Sequence, residues 1–274
     1  MRRNTRSQGR TTRRTFLAGI GAAATVSAVG VAGAKPDGAP RKVVLRSKDA
    51  DALAARAFPT TDEAYSKRGS WFTTGDDADG PAGTDKLQFY LVPTAKPLNL
   101  GSFTLGDVQS LTYHTKKVGA PVDGNNAPNI YVNVYTEPDG VDDTASWYGY
   151  RLTLEPYLSR NLSAPADEWV EWSTESGTNQ LTVFDAAKAG VFGFYGQPTL
   201  QELQSGTVNW QQDYGYGVDE EIDYASEVVK FIVFDTGSGW ADSYEGYLDA
   251  IELVVNAGRG NSGKPTALRI ELEA

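Results

Sequence analysis

The strand pattern that decides the fold of this 274-residue chain is Asn129-Ile130-Tyr131-Val132-Asn133-Val134-Tyr135. Apolar residues occupy every second position, and polar or aromatic residues stand between them. This period of two is typical of a strand that buries one face. Residues 87–91 and 150–155 repeat the pattern, residues 228–234 are apolar on both faces except at Lys230, and residues 248–255 close the series.

Turns separate these segments, and one helix interrupts them. The turn sequences are rich in Gly, Asp, Asn and Pro and lie at residues 123–126, 138–140 and 237–239. Thr199 and Glu202 fit a capping box at the start of a short helix, which Gly206 ends. Many short strands with one short helix predict an all-β fold, a two-sheet antiparallel β-sandwich.

The first 34 residues have the pattern of an export signal. The adjacent Arg13 and Arg14 precede an uncharged run rich in Ala and Gly, which ends in the small-residue site Ala32-Gly33-Ala34. A twin-arginine signal has this basic start, apolar centre and cleavage site. The alternative is a retained membrane anchor, since about 18 uncharged residues can just span a bilayer. Cleavage is the prediction, and it leaves an extracellular or cell-surface protein without membrane contact.

Four parts are expected along the chain. They are a signal peptide at 1–34, a linker and N-terminal extension at 35–70, the β-sandwich at 71–255, and a C-terminal tail at 256–274 that is able to serve as an added strand. The linker is indicated by the Pro, Gly and Lys content of residues 35–42.

The exported part is strongly acidic. Without the six arginines of residues 1–34 it has 19 basic and 35 acidic residues, a net charge of −16. Such a surface repels nucleic acid and anionic lipid, which excludes both as direct partners. Dense carboxylates suit high-salt surroundings, where screening removes their repulsion. We therefore predict a halophilic protein rather than an ordinary acidic secreted one.

The residue inventory disfavours most enzyme classes. Cysteine is absent, which excludes cysteine nucleophiles, thiolate zinc sites and disulfides. The single histidine, His114, is predicted to be a solvated strand residue. Residues 221–227 contain two glutamates and an aspartate, but the spacing is too long for the paired carboxylates of retaining glycosidases. Glycosidases stay open as a class, because two carboxylates are enough for them.

Six short motifs occur in order along the domain. They are Gly80-Pro81-Ala82-Gly83-Thr84, Gly101-Ser102-Phe103, the strand at 129–135 with its Asp/Gly loop, Glu168-Trp169-Val170-Glu171-Trp172, the capped helix, and Gly246-Tyr247-Leu248-Asp249-Ala250-Ile251. Their order resembles the exported jelly-roll domains of bacterial and archaeal surface proteins, here haloarchaeal, which are related in shape to carbohydrate-binding modules and lectins. The resemblance covers residues 71–255 and implies a jelly roll with glycan binding or adhesion. It also implies core positions for Trp169 and Trp172 and a structural calcium-ligand role for Asp249.

Aromatic and amide side chains are concentrated at residues 208–218. Flat aromatic faces stack on sugar rings, and amides and carboxylates bind sugar hydroxyls. The predicted glycan-binding residues are Trp210, Gln212, Asp213, Tyr214 and Tyr216, with Trp240, Tyr244 and Tyr247 around the last hairpin as second candidates. The alternative is that Trp210 fills the edge of the sandwich and the tyrosines cover it.

Carboxylates around the turn at 138–140 form a candidate calcium site, because calcium takes several oxygens from a flexible loop. The candidate ligands are Asp139, Asp142 and Asp143, and the alternative is that they are simply solvated. Asp249 is predicted on the face of Tyr247, Ile251 and Leu253, where backbone N–H groups, a basic residue or a metal must satisfy its carboxylate. Asn161 begins an Asn-Leu-Ser sequon and is a candidate glycosylation site.

Together these features predict an exported, non-catalytic β-sandwich that binds glycan or polysaccharide at the cell surface, with calcium as the candidate cofactor. The first alternative is a structural or adhesive subunit that self-associates, in which residues 43–46 or 267–272 add a strand to a neighbouring copy. The second alternative is a glycoside hydrolase or lyase.

Overall fold

The described part of the chain forms two β-sheets and has few helical residues. A computed structural model describes residues 40–46, 49, 58–74, 87–96, 98–122, 129–137, 151–189, 196–236, 245–256 and 265–274. All of these residues belong to one unit, Ala34–Ala274. The predicted signal, including Arg13 and Arg14, lies outside the described residues. In the described part of the chain, no helix is long and apolar enough to cross a membrane.

Strands dominate the described ranges. They are β1 (Arg41–Leu45), β2 (Phe58–Thr60), β3 (Ser70–Thr74), β4 (Gln88–Leu91), β5 (Val108–Lys117), β6 (Tyr131–Glu137), β7 (Arg151–Leu154), β8 (Trp169–Ser173), β9 (Val183–Asp185), β10 (Val228–Asp235), β11 (Glu245–Val255) and β12 (Thr266–Leu272). An α-helix, α1, spans Leu200–Gln204, and a single π-helical turn follows at Trp210–Tyr214. Short 3₁₀ turns lie at Leu105–Asp107, Pro156–Leu158 and Tyr224–Ser226.

β11 is the centre of the seven-stranded sheet. β5 pairs along one side of β11, and β8 pairs with β5. On the other side, β3 pairs with residues 245–248 of β11 and β12 pairs with residues 251–255. β2 extends the sheet beyond β3, and β1 extends it beyond β12. The pairs are antiparallel except that of β1 with β12, which is parallel.

The five-stranded sheet has the order β4-β10-β6-β7-β9, and its pairs are antiparallel. Its inner face packs on the other sheet through aromatic rings. Tyr113 of β5 meets Phe234 of β10 edge to face, with ring centroids 5.2 Å apart, and Trp71 of β3 meets Phe89 of β4 at 5.3 Å. All four side chains are fully buried. The predicted all-β, two-sheet sandwich is confirmed.

α1 confirms the predicted helix and its cap. Thr199 Oγ1 accepts a hydrogen bond from the Glu202 N–H at 3.2 Å, and Glu202 Oε2 accepts one from the Thr199 N–H at 2.7 Å. This reciprocal pair satisfies N–H groups that the start of a helix leaves without partners. Leu200 and Leu203 are buried and fix the helix on the core.

Strands outside residues 71–255 also belong to the sandwich. β1, β2 and β12 pair within the seven-stranded sheet, so the predicted extension and tail both contribute to it. In the β1–β12 pair, Val43 lies opposite Ile270, and Lys42 forms an ion pair with Glu271. The two segments predicted to add a strand to a neighbouring copy thus pair with each other. In the described sheet β1 is an edge strand, so it is able to join another sheet without leaving this pair, whereas β12 lies between β1 and β11.

Candidate functional site

Trp210, the first predicted glycan-binding residue, lies in the core. Its side chain is fully buried, and its Nε1–H donates to the Tyr224 hydroxyl at 2.7 Å. That hydroxyl donates in turn to Asp185 Oδ2 at 2.7 Å. Tyr214 and Tyr216 pack against the indole with ring centroids 5.3 and 5.8 Å away. The indole therefore has no exposed face on which a sugar could stack. The structure agrees with the alternative given above, in which Trp210 fills the edge of the sandwich and the tyrosines cover it.

The polar residues of this segment hold the π-helical turn. Asn209 Oδ1 accepts from the Gln212 N–H at 3.0 Å, and Asp213 Oδ2 accepts from the Asn209 N–H at 2.8 Å. Gln212 Nε2 also donates to Asp219 Oδ1 at 2.8 Å. Gln212 and Asp213 are exposed, and glycan binding by them stays a prediction.

Several predicted site residues lie outside the described residues, namely Trp240, Tyr244, Asp139, Asp142 and Asp143. Their roles stay predictions. Within the described ranges, no group of three or more His, Cys, Asp or Glu residues is placed to hold a metal ion. Asn161 is exposed, and its Nδ2 donates to the carbonyl of Gly177 at 3.0 Å. The sequon is therefore at the surface, and its glycosylation stays a prediction.

Asp249 is a buried carboxylate held by backbone N–H groups. Ser66 donates its N–H to Oδ2 at 2.7 Å, while Ala250 and Leu272 donate theirs to Oδ1 at 2.6 and 3.2 Å. Burial raises the pKa of Asp249, and these donors act in the opposite direction. The sequence analysis expected backbone N–H groups, a basic residue or a metal to satisfy this carboxylate, and in the structure backbone N–H groups do so. The bonds tie the turn before β3 and the end of β12 to the central strand.

A β-bulge explains why Asp249 does not share a face with Ile251 and Leu253, although the sequence predicted that it would. The pairing of β11 with β5 shifts between Asp249 and Glu252, where Ala250 has a φ of +49°. Tyr247 and Asp249 therefore share the outer face, while Ile251 lies in the core. An extra residue in one strand reverses the alternation beyond it, which a strict period of two does not anticipate.

Asp249→Ala is expected to lower the free energy of unfolding by about 2–3 kcal/mol. Three buried N–H groups lose their acceptor at a cost of about 1–3 kcal/mol each, and relief of the buried charge offsets part of this loss. Urea denaturation measures the effect. Glu252→Gln, on the same strand, should stay within about 0.5 kcal/mol of the parent. Equal stability of the Asp249 and Glu252 variants would contradict a structural role for the carboxylate.

His114 is buried rather than solvated, which corrects the sequence-based expectation. Its ring stacks on Tyr65 with centroids 3.7 Å apart, its Nδ1 lies 3.2 Å from the Ala250 carbonyl, and its Nε2 lies 3.3 Å from Glu171 Oε2. Burial lowers the pKa of His114 despite the nearby carboxylates, so the ring is neutral at pH 7. A residue on the outer face is buried here because the turn that carries Tyr65 covers it.

Four aromatic rings form a continuous row on the outer face of the seven-stranded sheet. We call Tyr65, Trp169, Tyr247 and Phe72 the aromatic row. Tyr65 and Trp169 have ring centroids 5.8 Å apart, Trp169 and Tyr247 6.3 Å, and Tyr247 and Phe72 4.8 Å. Tyr65 is 46% exposed and the other three are partly exposed. Trp172 is in the core as expected, but Trp169 is not, because it occupies the opposite face of β8.

Strand register builds the aromatic row. Lys116 of β5 lies opposite Trp169 of β8 on one side and opposite Tyr247 of β11 on the other, and Tyr247 lies opposite Phe72 of β3. Residues opposite each other in antiparallel strands point to the same face. Four neighbouring strands thus place Trp169, Tyr247 and Phe72 in one line across the sheet, and the turn before β3 adds Tyr65.

The surroundings of the aromatic row are acidic. Burial raises the pKa of Tyr247, and the charges of Glu63, Asp62 and Glu245 raise it further, while Lys116 acts in the opposite direction. Lys116 Nζ forms an ion pair with Glu63 at 2.6 Å, which neutralises that lysine. Asp62 and Glu245 add further negative charge near Tyr247.

A second line of side chains crosses the outer face of the five-stranded sheet. Tyr131 of β6 lies opposite Asp235 of β10, and continuing the β6–β7 register places Glu155 opposite Tyr131 on the other side. We call Asp235, Tyr131 and Glu155 the carboxyl row. One step along the strands, the Thr153 hydroxyl donates to Asn133 Oδ1 at 2.8 Å. Both carboxylate residues are at least nine-tenths buried, and Tyr131 is partly exposed.

Burial favours the protonated form of the Glu155 carboxyl group. Burial raises its pKa to about 8, with opposing effects from the Arg151 charge, which lowers it, and the Asp235 charge, which raises it. In the described part of the chain, Glu155 Oε2 is one of twelve buried side-chain atoms without a hydrogen-bond partner.

Neither row was predicted as a whole: Tyr247 of the aromatic row was a second candidate for glycan binding, and the sequence contains a signal for the carboxyl row. Polar or aromatic residues occupy the alternate positions of 131–135 and 151–155, which indicates an outer face rich in hydrogen-bonding groups. Which strands are neighbours, and in which register, cannot be read from alternation in a single strand. Each row forms only when residues from several strands come together in the folded sheet.

Comparison with protein-family models, with curated proteins and with solved structures found no match. The two rows are therefore interpreted from their own chemistry.

Proposed function

We propose that this protein binds a neutral polysaccharide along the aromatic row. The observation that supports the proposal is the line of four adjacent rings, each with solvent-facing area, on one sheet face. Rigid rings that are partly packed and partly exposed offer an apolar platform for the C–H faces of sugars. Polar groups beside them, including Glu63 and Lys116, suit the sugar hydroxyls.

Charge and ring orientation narrow the ligand class. The carboxylates around Tyr247 repel uronic and sulfated chains, so a neutral glycan fits better. Neighbouring ring planes in the row are inclined to each other by 45–58°. Inclined rings cannot all lie flat on a crystalline surface, and they suit a single twisted chain.

We propose that the protein acts at the cell surface in saline surroundings. The Arg13-Arg14 pair supports export to the cell surface, and the net charge of −16 after residue 34 supports saline surroundings. The order of motifs supports kinship with jelly-roll carbohydrate-binding modules and lectins. Calcium at Asp139, Asp142 and Asp143 belongs to the same proposal as a structural cofactor.

Trp169→Ala is expected to weaken polysaccharide binding by about 5- to 150-fold. Loss of one aromatic stacking platform costs about 1–3 kcal/mol in nucleic-acid binding, and the same scale is taken for a sugar ring. Affinity electrophoresis in gels that contain soluble β-glucan, xylan or mannan measures it. Tyr65→Ala should act in the same direction.

Gln212→Ala is the matched control, because Gln212 is exposed on the segment that the sequence favoured. It should leave affinity unchanged. If Gln212→Ala weakens binding and Trp169→Ala does not, the aromatic row is not the binding site. Retardation by polygalacturonate but by none of the neutral polymers would contradict the ligand class.

A further inference from the structure

The Tyr65 ring lies flat on a buried ring and is open to solvent on its other side. It stacks on the imidazole of His114, with ring centroids 3.7 Å apart and planes inclined by 21°. His114 is 7% exposed, whereas Tyr65 is 46% exposed. Because the two rings cover each other's facing sides, the exposed area of Tyr65 belongs to its opposite face and its edge. A flat, exposed aromatic face is a surface on which the C–H side of a sugar stacks.

Exposure distinguishes Tyr65 from the other members of the aromatic row. Phe72, Trp169 and Tyr247 are only partly exposed. In the described ranges, the large apolar side chains that are exposed are Tyr65 and Val92, and Tyr65 is the more exposed of the two. A single exposed ring is ordinary by itself, but this one lies 5.8 Å from Trp169 and continues the row. Tyr65 is thus the most accessible ring of the proposed binding site.

The imidazole under Tyr65 is held at both of its nitrogen atoms. Nδ1 of His114 lies 3.2 Å from the carbonyl oxygen of Ala250, and a carbonyl only accepts, so Nδ1 carries the hydrogen. Nε2 lies 3.3 Å from Glu171 Oε2. Ala250 belongs to β11 and Glu171 to β8, the two strands that pair with β5 on either side. His114 is therefore a fixed support in the middle of three strands.

Two other contacts fix the turn that carries Tyr65 to the same sheet. Ser66 donates its N–H to Asp249 Oδ2 at 2.7 Å, and Lys116 Nζ donates to Glu63 Oε1 at 2.6 Å. These contacts hold residues on either side of Tyr65 in the chain, and they leave the side-chain torsions of its ring undetermined. The orientation of the ring therefore depends on what the ring itself touches.

Among the described residues, the Tyr65 ring has aromatic contacts with His114 and Trp169. The Trp169 ring is inclined by 58° with its centroid 5.8 Å away, whereas the imidazole lies nearly parallel at 3.7 Å and covers one face. The closer, parallel contact restricts the tilt of the tyrosine ring more than the inclined one does. The stack on His114 is therefore the contact that sets the orientation of Tyr65.

We propose that His114 positions Tyr65 for polysaccharide binding, with a sugar ring stacked on the outer face of the tyrosine. This role rests on the proposed function and adds a positioning residue to the same site, since His114 is buried beneath the ring and touches no ligand. A side chain that is held in place before binding loses less entropy when the ligand arrives. For one side chain, this saving corresponds to about 2- to 12-fold in affinity.

Two substitutions at His114 separate a flat support from simple bulk. His114→Phe keeps a flat ring under Tyr65, whereas His114→Leu fills the space without a flat face, and both lose the hydrogen bond to Ala250. We expect His114→Leu to weaken binding by about 2- to 12-fold and His114→Phe to retain the affinity of the parent. Affinity electrophoresis in gels that contain soluble β-glucan, xylan or mannan measures both.

A double-mutant cycle shows whether His114 acts through Tyr65. In the Tyr65→Ala background, His114→Leu should cause no further loss of affinity, because the ring that it positions is absent. Equal fold-changes in the two backgrounds overturn the proposal, as does parent affinity in His114→Leu or an equal loss in His114→Phe and His114→Leu. Thr112→Ala, two positions away on the same face of β5, is the control and should keep the affinity of the parent.

Melting temperatures of all variants separate lost folding from lost positioning, and affinity is expressed per folded molecule. If the parent binds none of the three polymers, or if Tyr65→Ala and Trp169→Ala bind as well as the parent, the proposed function fails and the role of His114 fails with it. If those two variants lose affinity and His114→Leu does not, the role proposed for His114 is wrong and the aromatic row stands.

Discussion

Alanine in place of Trp210 is expected to lower the free energy of unfolding by about 3–5 kcal/mol. The indole is fully buried and packs against Tyr214 and Tyr216. Its removal leaves a cavity and deprives the Tyr224 hydroxyl of a donor. Urea denaturation followed by circular dichroism measures the change. Polysaccharide affinity per folded molecule should be that of the parent.

Gln212→Ala serves as the control, since it changes an exposed residue of the same π-helical turn. It should alter stability by no more than about 0.5 kcal/mol. A Trp210→Ala variant that keeps its stability but loses glycan binding would restore the segment at 208–218 as the binding site. Such a result would contradict the buried position of the indole.

Stability should fall as pH rises from about 5 to 8, and Glu155 should account for much of the fall. The folded pKa of Glu155 is about 8 against an ordinary value of 4.5, so between these values the folded state binds a proton that the unfolded state has lost. Stability from this group is complete below pH 4.5 and is lost as pH rises through 8. At 1.36 kcal/mol per pKa unit, the loss is about 5 kcal/mol.

Glu155→Gln should remove this part of the pH dependence. The variant should therefore be more stable than the parent at pH 9 and similar to it at pH 5, by thermal denaturation at each pH. A residual slope is expected from Glu227, because burial raises its pKa to about 7 in both proteins. Glu227→Gln in the same background should flatten the curve further. Parallel curves for parent and Glu155→Gln would show that Glu155 is ionised in the folded protein.

Local patterns predicted the elements of the fold well. Alternation at 129–135 and the capping box of Thr199 and Glu202 depend on residues close in sequence, and β6 and α1 follow them. The prediction that Trp210 is exposed for glycan binding was wrong, and the cause is also local in the sequence. A polar, Gly-rich stretch was interpreted as an open loop, whereas Gly217 allows a close approach: a Cβ there would lie 2.5 Å from the Lys188 carbonyl oxygen and 2.8 Å from Trp210 Cβ.

The candidate sites depended on contacts that a single sequence does not contain. The aromatic row needs four strands in register, and the position of Asp249 needs a bulge that sequence periodicity does not show. His114 is buried by Tyr65, which precedes it by 49 residues. Composition correctly indicated a sandwich rich in polar and aromatic residues. Which of those side chains lie next to each other depends on the order and register of the strands, which composition does not give.

The parallel pairing of β1 with β12 has a consequence for biosynthesis. Arg41 pairs with Leu268, so the ribosome must add more than 200 residues after β1 before its partner strand exists. At about 5–20 residues per second this delay is roughly 10–45 s. During that time β1 has no strand to pair with, and the edge of the nascent sheet is open to other chains. Long-range pairing of this kind also slows the final folding step, because a large loop must close first. Newly made chains should therefore depend on holdase chaperones until translation ends.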